Sequence, residues 1–414
     1  MSTIIHTDVL VLGGGAAGVS AAVAAANEGL HVVLIERHSF LGGKATAAEV
    51  GTVCGLYKFS KKESPEYIVN GFAKDFAELL KKNSDSTPLH NSNGLHYLPY
   101  DIGVFKETCY ALLDKKNIKI YFNSVLYKVD TNENIIQSVV VNTAGNDIQI
   151  KLSAIIDCSG ESSVSQLTGL STINSEKYQA AAQVFTLKNV VAESESHLGM
   201  ILMKELRSAI DKKELDYYYD RVYIVQGSLK NNRVSLKLGL PLPVTHTPEN
   251  IEALNKMAHS FVEHLTTWLI QHIAAFKNAG IEHIASEVGI RVGLRTIGKY
   301  LLTEEDVLSC KKFNDAIANA AWPIEVWEQN RRVNMRYFNF DDHYQVPARC
   351  LQSNSIKNLF IAGRNISATD SAIASARVMG ICLQTGYAAG CLAAGYSRQQ
   401  AIEETVKIIQ LKQL

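Results

Sequence analysis

Charge of one sign is missing from this chain: Lys plus Arg and Asp plus Glu number 41 each in 414 residues, a net of zero with histidine neutral. So balanced a chain has no general field for nucleic acid or an anionic membrane surface, and neither is expected as a partner. A cysteine framework is missing too. The seven cysteines, at 54, 109, 158, 310, 350, 382 and 391, are scattered, odd in number and free of any C-x-x-C. That speaks against disulfides and structural zinc and suits free thiols in a reducing compartment. His264 and His272 lie near one helix face without an evident third ligand, so no metal is expected. No basic segment followed by an apolar core opens the chain, and the apolar stretch from Gly15 to Asn27 is too short for a bilayer. The expectation is a soluble cytoplasmic protein, long enough for two domains.

What is present is concentrated in residues 1–46. An apolar strand, Asp8 to Leu12, runs into Gly13-Gly14-Gly15-Ala16-Ala17-Gly18, followed by an alanine-rich helix. A second apolar run, His31 to Ile35, ends on Glu36. This is G-x-G-x-x-G between strand and helix with an acid beyond it. Gly13 permits the turn, Gly15 lets backbone approach a pyrophosphate, and Gly18 lets helix close on strand. The helix start then faces phosphate with its free N–H groups, and Glu36 can take the hydroxyls of a ribose. A structural glycine turn is the competing account. It does not explain strand, helix and acid together.

Beyond Glu36 lies Arg37-His38-Ser39-Phe40-Leu41-Gly42-Gly43-Lys44-Ala45-Thr46. Two glycines there let the chain pass close to a diphosphate and ribitol. In this the sequence resembles the two-dinucleotide-binding-domain flavoproteins, in which such elements cradle FAD. Further segments extend the likeness: Ile155 to Gly160, Gly289 to Tyr300, Thr303 to Val307, Val346 to Leu351, Asn358 to Arg364 and Ser375 to Met379. In that order they look like FAD-dependent oxidoreductases distantly related to the fumarate reductase flavoproteins, most weakly between about 170 and 285. The resemblance implies an α/β fold: a Rossmann-like FAD-binding domain of glutathione-reductase type with an inserted α+β cap. It also implies that Val125 holds adenine by its backbone, that Asp157 to Gly160 close the second side of FAD, and that Gly363 and Arg364 lie against ribitol and phosphates. Arg377, Val378 and Met379 would start a helix beside the flavin pyrimidine. No histidine linker stands near Gly43, so the FAD is expected to be non-covalent. Leu294 replaces an arginine common in relatives, which sets dicarboxylate binding aside.

The rest of the chain fits two domains, residues 1–190 with 336–414 for FAD and 191–335 for the cap. Pro248 and Glu249 mark a long helix ending near Asn278 to Gly280, and Ala372 to Ala394 reads as one small-residue helix. Ser397 to Gln400 has the form of a capping box for the last helix. Glu304, Glu305 and Asp306 read as the first turn of a helix capped by Thr303.

A flavin still needs a group to move the substrate's proton. Arg291, Arg295, His343 and Tyr344 are the candidates. An interface salt bridge competes for Arg291, and an exposed loop for His343. Tyr217 to Tyr219 and Trp322 to Trp327 could line a pocket, with ordinary packing as the alternative. A second G-x-G-x-x-G is absent, so a dedicated NAD(P)H domain is not expected. The reading is an FAD-dependent oxidoreductase acting on a small-molecule substrate by hydride transfer at flavin N5, with its electron donor or acceptor unassigned and homo-oligomers allowed. A flavin monooxygenase or halogenase and a non-catalytic electron carrier are the alternatives.

Overall fold

Alternation after Thr3 gives way to an unbroken apolar run at Val9, the pattern of a strand whose second half is covered on both faces. The computed structural model describes residues 3–175, 179–328 and 333–414; Met1 and Ser2, from the leader reading, lie outside the described residues. Thr3–Leu12 pairs in parallel with Val32–Ile35 on one side and Asn146–Asp157 on the other. Ile118–Tyr121 extends the sheet beyond Val32–Ile35, and Leu359–Ile361 pairs in parallel with Ile155 to Asp157. Ser124–Asn132 and Ile135–Thr143 complete the seven-stranded sheet as an antiparallel meander into Asn146–Asp157. The fold is mixed α/β around this largely parallel sheet.

The Ala16–Asn27 helix lies against Met379–Ser397. Small residues are needed on both, because a side chain at Gly386 would collide with the Ala17 backbone. The small-residue stretch is two helices and not one: Asp370–Ala376 and Met379–Ser397 meet at 94°. Val378 is extended at the break (φ −70, ψ 152). Gly380, just after it, packs on the Gly55 carbonyl with no room for a methyl group. Among the described residues no single helix is long and apolar enough to cross a membrane.

A second, four-stranded antiparallel sheet runs Val222–Ile224, Arg233–Gly239, Ala182–Lys188, Gly280–Ile284. Together with the helices Glu195–Asp211 and Pro248–His272 it buries its own apolar cluster, including Phe185, Leu202, Leu236 and Leu265. Thr247 caps the longer helix through the Asn250 N–H, with Pro248 in its first turn. The helix stops at His272, short of the expected end, because Ile273 turns extended before a 3-10 turn over Ala274–Phe276. Ser397 does not cap the last helix. It ends the preceding one, its hydroxyl bonded to the Ala393 carbonyl, and Ile402–Gln413 begins after Ala401.

Candidate functional site

The parallel strands end together at Leu12, Ile35, Asp157 and Ile361. Ligands of open α/β sheets sit outside that edge, and a groove of about 300 Å³ opens there. Gly13, Gly15, Ala16 and Ala17 line it from the first turn; Glu36 and Arg37 line it from the second strand's end. Gly42, Gly43, Lys44 and Ala45 follow, with Val125 and Gly160 at other walls. Gly363, Arg364, Arg377 and Met379 complete it. The glycine pair bears directly on the fingerprint. Gly42 donates to the Gly14 carbonyl at 2.8 Å, and Gly43, at φ 53, would bring a side chain within 2.9 Å of the Gly15 Cα.

Four expected cofactor residues stand behind this lining. Gly18 packs on the Gly13 carbonyl, where any side chain would collide. Thr46 donates to the Leu41 carbonyl at 2.7 Å and so clamps the glycine loop. Asp157 is fully buried, and its carboxylate accepts from Ser159 N–H (2.9 Å), Val164 N–H (2.9 Å) and the Asn365 amide (2.6 Å). It staples the turn before Gly160, although burial pushes its pKa up. Val378 contributes the helix break described above. His38, Ser124 and Glu161 line the groove without having been expected; no spacing signal marks them, since they arrive from loop ends.

Glu36 is 4% exposed. One oxygen accepts from Gly14 N–H at 2.6 Å, the other from His38 N–H at 2.9 Å. Across the groove's edge, Glu287 of the second layer joins Lys44 (2.6 Å), His38 (2.7 Å) and Arg37 (2.8 Å). Bonds to Glu287 and then Glu36 push His38 up to about 9 from 6.5. A raised histidine stabilises the fold fully below the unfolded value and loses that contribution as pH rises through the folded one. The melting temperature of the apoprotein should therefore fall between about pH 6.5 and 9, and His38→Gln should flatten the fall. Parallel melting curves across that range would remove His38 from the effect.

The catalytic candidates separate. Arg295 is fully buried, bonded to Ser175 Oγ at 2.9 Å and paired with Asp370, and it does not line the groove. It is a structural residue, held where the Arg295–Thr296 strand meets Thr172–Ile173. Asp370→Asn would take one charged acceptor from a buried guanidinium, a loss of about 1–3 kcal/mol. Thermal or urea unfolding should show it, with flavin per folded protein unchanged; an unaltered midpoint would overturn the assignment. His343 is also away from the groove. Asp342 accepts from the His343 backbone N–H at 2.7 Å, and Lys312 donates to the His343 carbonyl; no carboxylate bonds its ring among the described residues. Burial lowers its pKa. Tyr344 is buried against Ser375 at 2.6 Å. Tyr219 bonds His264 at 2.9 Å, and Tyr218 stacks on Phe261, so these rings serve packing.

Arg291 does reach a site. Its guanidinium donates to the Ala180 carbonyl and lies 4.3 Å from the centre of the Trp327 ring. Burial, then the neighbouring Arg377, pulls it down to about 9. Arg377 links this point to the groove: it lines the groove and donates to Gln179 at 3.3 Å and to the Glu325 carbonyl at 3.2 Å.

The groove fits FAD. No side chain caps the Ala16 helix start, which leaves its first N–H groups for phosphate. A Cβ at Gly15 would meet nothing closer than the Gly43 Cα at 3.7 Å. That space is open to a phosphate, with Gly15 on the groove wall. Both ring nitrogens of His38, the groove's histidine among the described residues, are engaged by Glu36 and Glu287. Acid precipitation should therefore leave FAD in the supernatant. Colour retained in a denatured pellet would reveal a covalent bond.

A family model described as FAD dependent oxidoreductase matches residues 8–414. Digeranylgeranylglycerophospholipid reductase 2 of Methanosphaera stadtmanae is 29% identical over 209 residues, 48% of this chain and 50% of that protein. The match thus spans about half the length of this curated relative. Among solved structures, the anhydrotetracycline hydroxylase OxyS from Streptomyces rimosus aligns with TM-score 0.50 at 10% identity, over 98% of this chain and 65% of that one. A geranylgeranyl bacteriochlorophyll reductase-like protein from Thermoplasma acidophilum aligns with TM-score 0.48 at 13% identity, over 99% and 84%.

Proposed function

The chain belongs to the FAD-dependent oxidoreductase family, and from that premise we propose that it moves a hydride between flavin N5 and a small organic substrate held between its two layers. FAD, when bound, supplies hydride acceptance or donation at N5. The protein supplies position, charge and exclusion of water. In this reading residues 1–190 and 336–414 form a glutathione-reductase-type FAD domain, and 191–335 form the inserted cap. The separate apolar cluster, drawn from between Phe185 and Ile284, supports a second layer, although Val292, Leu302 and Ile317 pack in the first.

The observation that carries the reading is that Arg291, on the Ala180 carbonyl, and Arg377, on the Gln179 side chain and lining the groove, are held by adjacent residues of the chain. Arg291 anchors the substrate and stabilises charge that develops on it. The Met379 helix start, with no side-chain cap, turns its N–H groups to the flavin pyrimidine. Glu36 takes the adenosine ribose, and the Gly13 to Ala17 turn takes the pyrophosphate. The name of the Methanosphaera relative supports reduction as one direction of the reaction.

The test is an anaerobic screen of the yellow protein for compounds that bleach it, followed by reduced protein against acceptors. Bleaching without oxygen supports hydride transfer. Oxygen uptake yielding a hydroxylated or halogenated product, with no anaerobic bleaching by substrate, would replace it with a monooxygenase or halogenase.

A further inference from the structure

Glu161 sets a carboxylate on the wall of a groove that fits an anionic diphosphate. Its side chain is 29% exposed. A negative charge there opposes the cofactor, so what the carboxylate is bonded to matters. One oxygen is joined to the second layer: Glu161 Oε2 lies 3.1 Å from His246 Nδ1. An ionised carboxylate only accepts, so that ring nitrogen carries the proton. Although burial pushes Glu161 up, the His246 bond and then Arg364 hold it below its usual value.

The loop that brings His246 there is fixed locally. It joins the Arg233–Gly239 strand to the Pro248–His272 helix. Asn250, in the helix's first turn, ties the loop twice: its Oδ1 accepts from Thr245 N–H at 2.7 Å, and its Nδ2 donates to the Pro243 carbonyl at 2.8 Å. His246 follows with a left-handed backbone, φ 58, which L residues adopt at a cost. Its side chain is 9% exposed. The chain thus accepts local strain and withdraws an imidazole from water to reach a carboxylate of the other layer.

The groove's cations are held unequally. Glu287 takes Lys44 at 2.6 Å and Arg37 at 2.8 Å. Arg364 lies over Gly160, where a side chain would collide with it, and donates through Nη1 to the Ile290 carbonyl at 2.8 Å. Its Nη2 is 3.7 Å from Glu161 Oε1, an ion pair outside hydrogen-bond distance. Glu161 therefore stands between two partners, and His246 is the closer. We propose that His246 is a positioning residue for the cofactor: it holds Glu161 off Arg364 and leaves that guanidinium to the FAD diphosphate. Without His246, Glu161 would close on Arg364 with both oxygens, the forked pairing that arginine and carboxylate favour. The role needs FAD in the groove and is independent of hydride transfer. By linkage, bound FAD must in turn favour the docked loop.

Titrating the apoprotein with FAD, followed by flavin fluorescence, tests this. His246→Ala should weaken FAD by roughly tenfold or more. His246→Asn sets an amide N–H near the place of Nδ1 and tolerates the left-handed backbone, so it should stay within about threefold of the parent. Glu161→Gln added to His246→Ala should bring affinity back to within about threefold of the parent, because an amide carries no charge to claim Arg364. A packing histidine would not be rescued in this way. No loss in His246→Ala, or a loss that persists in the double variant, would overturn the role. Should His246→Ala fail to fold, hydrogen exchange on the unaltered protein decides. FAD should slow exchange at the amides of Val244, Thr245 and His246 by roughly fivefold or more; equal exchange with and without FAD would overturn the proposal.

Discussion

Gly15→Val should give a protein that folds and does not hold FAD. The backbone at Gly15 is extended, φ −75 and ψ −177, a conformation open to valine. The nearest atom to a Cβ there is the Gly43 Cα at 3.7 Å, an ordinary contact. The branched carbons would instead occupy the path of the pyrophosphate, and overpacking of that kind costs about 1–3 kcal/mol or more. FAD affinity should fall by roughly 100-fold or beyond, while the apoprotein melts within about 3 °C of the parent. Gly18→Val is the contrast, since its side chain meets the Gly13 carbonyl and should damage both fold and binding. Full flavin occupancy in Gly15→Val would show that the turn is not where the diphosphate lies.

Arg291→Lys should keep the fold and the flavin and lose turnover by roughly 10²-fold or more, the scale of one lost electrostatic donor. Arg291 is absent from the groove lining, so FAD content should not change. Its guanidinium bonds the Ala180 carbonyl while facing Trp327, and a lysine cannot hold that contact and also fork onto a substrate oxygen. An interface salt bridge is a poor competing account, because no carboxylate bond is found for this side chain among the described residues. Flavin content, thermal melting and the anaerobic rate of flavin reduction or reoxidation by an identified substrate would be measured together. An unchanged rate would reduce Arg291 to a packing residue.

Local signals and long-range ones fared differently. The first turn, the acid at Glu36 and the Gly42–Gly43 pair are contiguous patterns, and the structure brings them to one groove. Thr303 caps its helix as expected, and Asp306 reciprocates, because both partners lie within one turn. Ser397 has the same local form and fails, since packing carries the preceding helix through it. The single helix over Ala372 to Ala394 fails for a related reason: a break at Val378 is set by the Gly55 backbone, far away in sequence. Arg295, in a two-residue strand, and His343, in a loop, are reactive residue types that no local pattern explains. Only their neighbours, Asp370 and Ser175 for one, Lys312 and Asp342 for the other, decide that they are structural.

By itself the sequence determined the dinucleotide fingerprint, the family and the cofactor, because the glycine turn and the acid that such a cofactor calls for lie within one β-α-β unit. Tertiary structure alone decided which cations are buried near one another. Lys237, Arg221, Arg291 and Arg377 are separated along the chain and meet through the packing of the second layer on the first. A charge's role depends on what it is buried beside, and no spacing along the chain records that.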